Sequence, residues 1–129
     1  MKGYIYKIIN KTNNKCYIGQ SKSKIYNKTG EYNRALSHFS YPRLTRPNWH
    51  DDLSLHPEKY ECYVIELLES EDENVLANAL NCRERYNIII NDCDKRIKGY
   101  NKTKGGDQQV KNIIKSNELT LTPVNIRIK

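Results

Sequence analysis

The sequence predicts a single small α+β domain. Three features carry that reading: two short β-prone runs at the start joined by turn residues, a third run over Tyr60–Leu68, and a long helical stretch whose apolar residues recur at helical spacing. At 129 residues the chain has the length of one ordinary domain. Apolar residues make up 37%, but ten tyrosines supply the aromatic surface that a core needs, which excludes wholesale disorder. No stretch approaches the ~18 apolar residues of a membrane span. Met1-Lys2-Gly3 leads into a strand rather than an apolar leader, so a soluble, intracellular protein is expected.

Gly3 to Ile9 is rich in β-branched and aromatic residues. Asn10-Lys11-Thr12-Asn13 supplies a turn, and Cys16-Tyr17-Ile18-Gly19 forms the second strand of a hairpin. A four-residue loop would set Ile9 opposite Asn14 and Tyr6 opposite Tyr17, with both phenols on one face. Gln20 to Gly30 is polar and Lys-rich and reads as a mobile loop. Glu31 to Phe39 reads as a short helix with an apolar stripe of Tyr32, Ala35, Leu36 and Phe39. Pro42 and Pro47 punctuate a basic connector carrying Arg43 and Arg46, after which Asn48 caps a short helix ending at Leu55. Tyr60 to Leu68 is the third strand.

Glu71 to about Asn91 is the long helix, opened by acidic residues that suit the positive end of its dipole. Leu76, Leu80 and Ile88 form its apolar ladder. Glu84 falls in the same i, i+4 series, which sets a carboxylate beside the packing face. From Gly99 the chain is loop-like, with a helical turn or two around Val110–Lys115 and a β-prone end over Leu119–Ile128. Cys16, Cys62, Cys82 and Cys93 form no CxxC pair or Cys/His quartet, so they are expected to be reduced and mostly buried thiols.

The formal charge of +7 and pI near 9.2 favour a polyanionic partner, of which nucleic acid is the commonest in a cell. Hydrolysing a phosphodiester requires an activated water, positive charge at the phosphoryl oxygens and help for the leaving oxygen. Arg34 and His38 lie i, i+4 on one helix face, where a guanidinium can grip a phosphate and an imidazole can relay a proton. Glu84 can hold a divalent cation, since Mg²⁺ typically takes few protein ligands. Each feature has a plainer reading: a solvated helix face for Arg34 and His38, a surface ion pair for Glu84, and sheet aromatics for Tyr4, Tyr6 and Tyr17. The residues alone reach a basic domain with a candidate phosphate site.

Their order carries more. Gly3-Tyr4-Ile5-Tyr6, ten intervening residues, then Tyr17-Ile18-Gly19 resembles the paired signature of the GIY-YIG nuclease family. Arg34 with His38, Glu84 within Cys82-Arg83-Glu84-Arg85-Tyr86-Asn87-Ile88, and Gly99-Tyr100-Asn101 before Gly105-Gly106 follow in the family's order. The first triplet departs in having its glycine displaced to Gly3, and the loop from Gln20 to Gly30 is longer than in compact members. The resemblance spans residues 1–107, with a short C-terminal extension over 108–129.

The resemblance implies a three-stranded antiparallel sheet flanked by helices and one-metal cleavage of DNA with Mg²⁺ or Mn²⁺. It assigns Tyr6 and Tyr17 to the water and proton transfer, Arg34 to the phosphate, Glu84 to the metal, His38 to support of a tyrosine, and Gly19 and Asn101 to support of the site. Lys22, Lys24, Arg43 and Arg46 are further candidate DNA contacts. With only about twenty residues after Asp107, specificity is expected from loops, the connector, the tail, a homodimer or an accessory protein. That pattern suits a low-specificity, phage-related nuclease or a restriction-like dimer. A non-catalytic nucleic-acid-binding module, with tyrosines stacking on unpaired bases, is the alternative, and a structural or inhibitor protein on the same fold is a third reading.

Overall fold

Strand β1 (Lys2–Asn10) runs through the middle of an antiparallel sheet in a computed structural model that describes residues 1–23, 32–39, 48–93, 99–101 and 119–129. Strand β2 (Cys16–Ser23) flanks it on one side and β3 (Tyr60–Glu69) on the other, while β4 (Thr120–Arg127) pairs with β3 to give the order β2-β1-β3-β4. Among the described residues the sheet therefore has four strands and not three. The β-prone end seals the open edge of β3, and at that outer position Pro123 is tolerated because an edge strand needs only one row of ladder bonds.

The hairpin is longer than expected. Ile9 pairs with Cys16 and Ile8 with Tyr17, which leaves Tyr6 opposite Gly19. Asn14 adopts φ 62°, a left-handed conformation that Asn tolerates, and its N–H donates to Asn10 O at 2.8 Å to close the turn. The shift from the expected register is two residues, so the parity of each side chain is preserved and both phenols keep one face. Gln20 to Ser23, read as loop from the sequence, continues β2.

Helix α1 (Asn33–Leu36) and a 3₁₀ turn (Ser37–Phe39) replace the single helix expected over 31–39, and α2 (Asn48–Leu55) matches its predicted span. They cover the face bearing Tyr4, Tyr6, Ile8, Cys62 and Val64, with Ala35 and Leu53 buried in that layer. Helix α3 (Glu73–Ile90) covers the other face, packing Leu76, Ala79, Leu80 and Ile88 on Ile5, Ile18 and Leu68. Each fully buried aliphatic contributes roughly 1.5–3 kcal/mol. Asp72 caps α3, accepting from the Asn74 and Val75 N–H groups. A bulge at Ile65 turns Glu66 towards α3, where the buried carboxylate takes Arg83 at 2.8 and 2.6 Å and Asn87 at 3.0 Å.

The expectation of four reduced thiols is corrected. Cys16 at the start of β2 and Cys93 just beyond α3 form a disulfide, leaving Cys62 buried and Cys82 exposed as free thiols. Gly99 lies so close to Cys93 that a Cβ would sit 2.1 Å from its carbonyl. The Tyr100 N–H donates to Cys16 O and the Asn101 N–H to Cys93 O. The partners are 77 residues apart, so local sequence contains no sign of the pairing. Among the described residues no helix is long and apolar enough to cross a membrane. The helical turn expected around 110–115 lies outside the described residues.

Candidate functional site

The site is built on the tyrosine face of the β1–β2 hairpin. Tyr6 is 1% exposed and its ring centroid lies 6.3 Å from that of half-buried Tyr17. Gly19, opposite Tyr6, gives the phenol its space: a Cβ there would fall 2.3 Å from both Cζ and the hydroxyl oxygen. Gly19→Ala should therefore push the Tyr6 ring off its seat. We expect a loss of about 1–3 kcal/mol of stability and a disturbed site, measurable by denaturant unfolding and by near-ultraviolet circular dichroism of the tyrosines. Unchanged values in both would remove this role for Gly19.

The 3₁₀ turn after α1 brings His38 over the same face. Its Nε2 lies 2.8 Å from the Tyr6 hydroxyl and its Nδ1 lies 3.0 Å from Nε2 of His50 on α2. Neutral His38 satisfies both contacts in either tautomer, so a proton can pass along Tyr6–His38–His50 in either direction. The sequence reading missed His50. Its position beside Trp49 in a short helix offers no spacing signal, and only the packing of α2 against the 3₁₀ turn brings the imidazoles together. Trp49 lies over Tyr17, with centroids 5.2 Å apart, and stacks on Tyr100 at 4.7 Å.

Glu84 is half-buried on α3 and reaches Gln20, on the α3-facing row of β2. Gln20 belongs to the face of the sheet opposite the tyrosines, so Glu84 meets edge strand β2 from the α3 side and not from the tyrosine side. Its charge raises the pKa of the Tyr17 phenol, second only to burial, while Arg34 opposes that rise. Arg34 itself is exposed on α1 and also acts on Tyr6. Burial raises Tyr6 strongly, with Tyr17 adding to the effect, so Tyr6 is held as a neutral phenol. The Glu84 carboxyl is raised by burial, against which the Gln20 amide works.

Asn101 secures the hairpin from below. Its Oδ1 accepts from the Ile18 N–H and its Nδ2 donates to Ile18 O, both at 2.9 Å, one residue from Tyr17. Tyr4 accepts from the Ala35 N–H at 3.4 Å and so tethers α1. Lys22 is directed to Glu73 at 2.6 Å. Lys24, Arg43 and Arg46 lie outside the described residues.

Of the sequence-derived residues, Tyr6, Tyr17 and His38 thus meet on the tyrosine face, whereas Arg34 on α1 and Glu84 on α3 are linked to them through the charge each sets on Tyr17. Among the described residues no three His, Cys, Asp or Glu gather as a closed metal cage. A single carboxylate still fits Mg²⁺, which typically retains several waters. A half-buried carboxylate whose pKa burial raises, with a neutral amide as its donor, is a group that a cation stabilises. No family model, no curated protein and no solved structure matches the chain.

Proposed function

We propose that this protein is a metal-dependent DNA endonuclease of the GIY-YIG type, hydrolysing phosphodiester bonds by a one-metal mechanism. The observation that carries the reading is the meeting of the Tyr6–His38 hydrogen bond with Tyr17, whose phenol feels both Glu84 and Arg34. The basic charge of the chain suits a DNA partner.

Arg34, exposed on α1, grips the scissile phosphate through its guanidinium. Tyr17 is the less buried phenol and positions the attacking water. Tyr6 receives the proton through its hydroxyl and passes it to His38 Nε2, with His50 holding the far side of the imidazole. The roles of the two phenols follow from burial: a tyrosine that is 1% exposed and held neutral relays protons better than it contacts water. Glu84 would hold the Mg²⁺ or Mn²⁺, which supplies charge stabilisation at the phosphoryl group and the leaving 3′ oxygen.

Supercoiled plasmid tests the proposal. Nicking is expected with Mg²⁺ or Mn²⁺ and none with EDTA, and Arg34→Ala should lower the rate by ~10²–10³ with an unchanged melting temperature, because the side chain is exposed. Absence of nicking with either metal, or full activity in Arg34→Ala, would overturn it. Tight single-strand binding that ignores Mg²⁺ would favour a non-catalytic binding module instead.

A further inference from the structure

Gln20 has no part in the signature that pointed to this site, yet its side-chain amide donates to Glu84. It stands on β2 opposite Ile5, in the row that faces α3. Its Nε2 group donates to Asn81 Oδ1 at 2.8 Å and to Glu84 Oε2, so the two hydrogens of one amide serve two acceptors one turn apart on α3.

Resting on the nuclease reading, we infer that Gln20 is the positioning residue of the metal carboxylate: anchored by Asn81, its amide fixes the Glu84 side chain and occupies Oε2, leaving Oε1 for the cation. A glutamate has three rotatable bonds, and each unfixed rotamer would dilute the fraction of carboxylate aimed at the site. An amide suits this position better than a lysine or a carboxylic acid. It donates to Glu84 without a positive charge that would compete with the metal, and without a negative charge that would repel the carboxylate. The contact also crosses from the edge strand to the helix, so it ties the position of the metal ligand to the strand that carries Tyr17.

The test is Mn²⁺ binding to the whole chain, read by water-proton relaxation, alongside Mg²⁺-dependent plasmid nicking. Gln20→Met keeps the length of the side chain and removes both donors. It should weaken Mn²⁺ by about 10–100-fold, the usual cost of losing a partner behind a metal ligand. Saturating Mg²⁺ should return nicking to within a few-fold of the parent. Asn81→Ala, which leaves Glu84 and Gln20 in place, should weaken Mn²⁺ less, and the double variant should be no worse than Gln20→Met alone, since Asn81 acts through Gln20. A purely architectural role would instead lower the melting temperature and the saturated rate while leaving the metal midpoint where it was, and that result overturns the inference. Mn²⁺ binding that Gln20→Met leaves unchanged overturns it too, with the nuclease reading intact. A parent chain that binds Mn²⁺ in a Gln20-dependent way but never nicks DNA sinks the nuclease reading and supports the positioning role. No Mn²⁺ binding by the parent overturns the inference.

Discussion

Glu84→Gln is expected to abolish plasmid nicking and yet leave the metal-free protein at least as stable as the parent at pH 7. The loss of activity follows from removing the carboxylate proposed to hold the cation, at a typical cost of ~10²–10³ or more in rate. The stability result follows from burial, which raises this carboxyl above its ordinary 4.5. Folding thus favours its protonated form. The contribution of this group is fully present below 4.5 and is lost as the pH rises through the higher folded value, so at pH 7 the charged form opposes folding. Glutamine removes that charge and still accepts the Gln20 hydrogen bond. For the same reason a proton competes with the metal at higher pH than at an ordinary glutamate, and nicking should fade early on the acid side. Thermal melts from pH 4 to 8 and a pH–rate profile in saturating Mg²⁺ check both. A variant that nicks at the parental rate, or that melts well below the parent at pH 7, would sink the assignment.

Breaking the Cys16–Cys93 disulfide should have the largest effect on stability. In the chain-entropy account a crosslink closing 77 residues stabilises by about 4–5 kcal/mol, which for a domain of this size corresponds to roughly 10–20 °C in melting temperature. The bond also joins the residue before Tyr17 to the segment that delivers Asn101, so its loss loosens the hairpin where the phenols are seated. Reductant, or Cys16→Ser with Cys93→Ser, should show the shift in a calorimetric scan. Thiol titration of the unreduced native chain should find one fast group, exposed Cys82. Cys62, pushed up to about 12 by burial, should react only on unfolding, for a total of two. A total of four, or a melting temperature indifferent to reductant, would contradict the crosslink.

Much of the architecture was legible because it is local. The strands over 3–9 and 60–68 announced themselves through β-branched and aromatic runs, and α3 through its acidic start and the Leu76–Leu80–Ile88 ladder. The same ladder placed Glu84 beside the sheet-facing side of the helix, where it lies half-buried. The hairpin register missed by two residues because loop length depends on whether Asn14 takes a left-handed φ, a choice that neighbouring composition leaves open. Since two residues restore parity, the error did not move Tyr6 or Tyr17 to the wrong face. The resemblance in motif order supplied the candidate residues, but it named neither Gln20 nor His50, whose importance comes entirely from what they touch.

The amino-acid sequence by itself determined the long strands and helix, the basic charge and the candidate side chains, because helical and strand periodicity and side-chain chemistry are properties of neighbours in the chain. Tertiary structure alone decided that β4 closes the sheet, that Cys16 meets Cys93, that His50 extends the Tyr6–His38 contact, and that Gln20 holds Glu84. The physical reason is the same in each case. These are pairings between residues far apart along the chain, selected by which surfaces become buried together, and such selection leaves no periodic trace in either partner's local sequence.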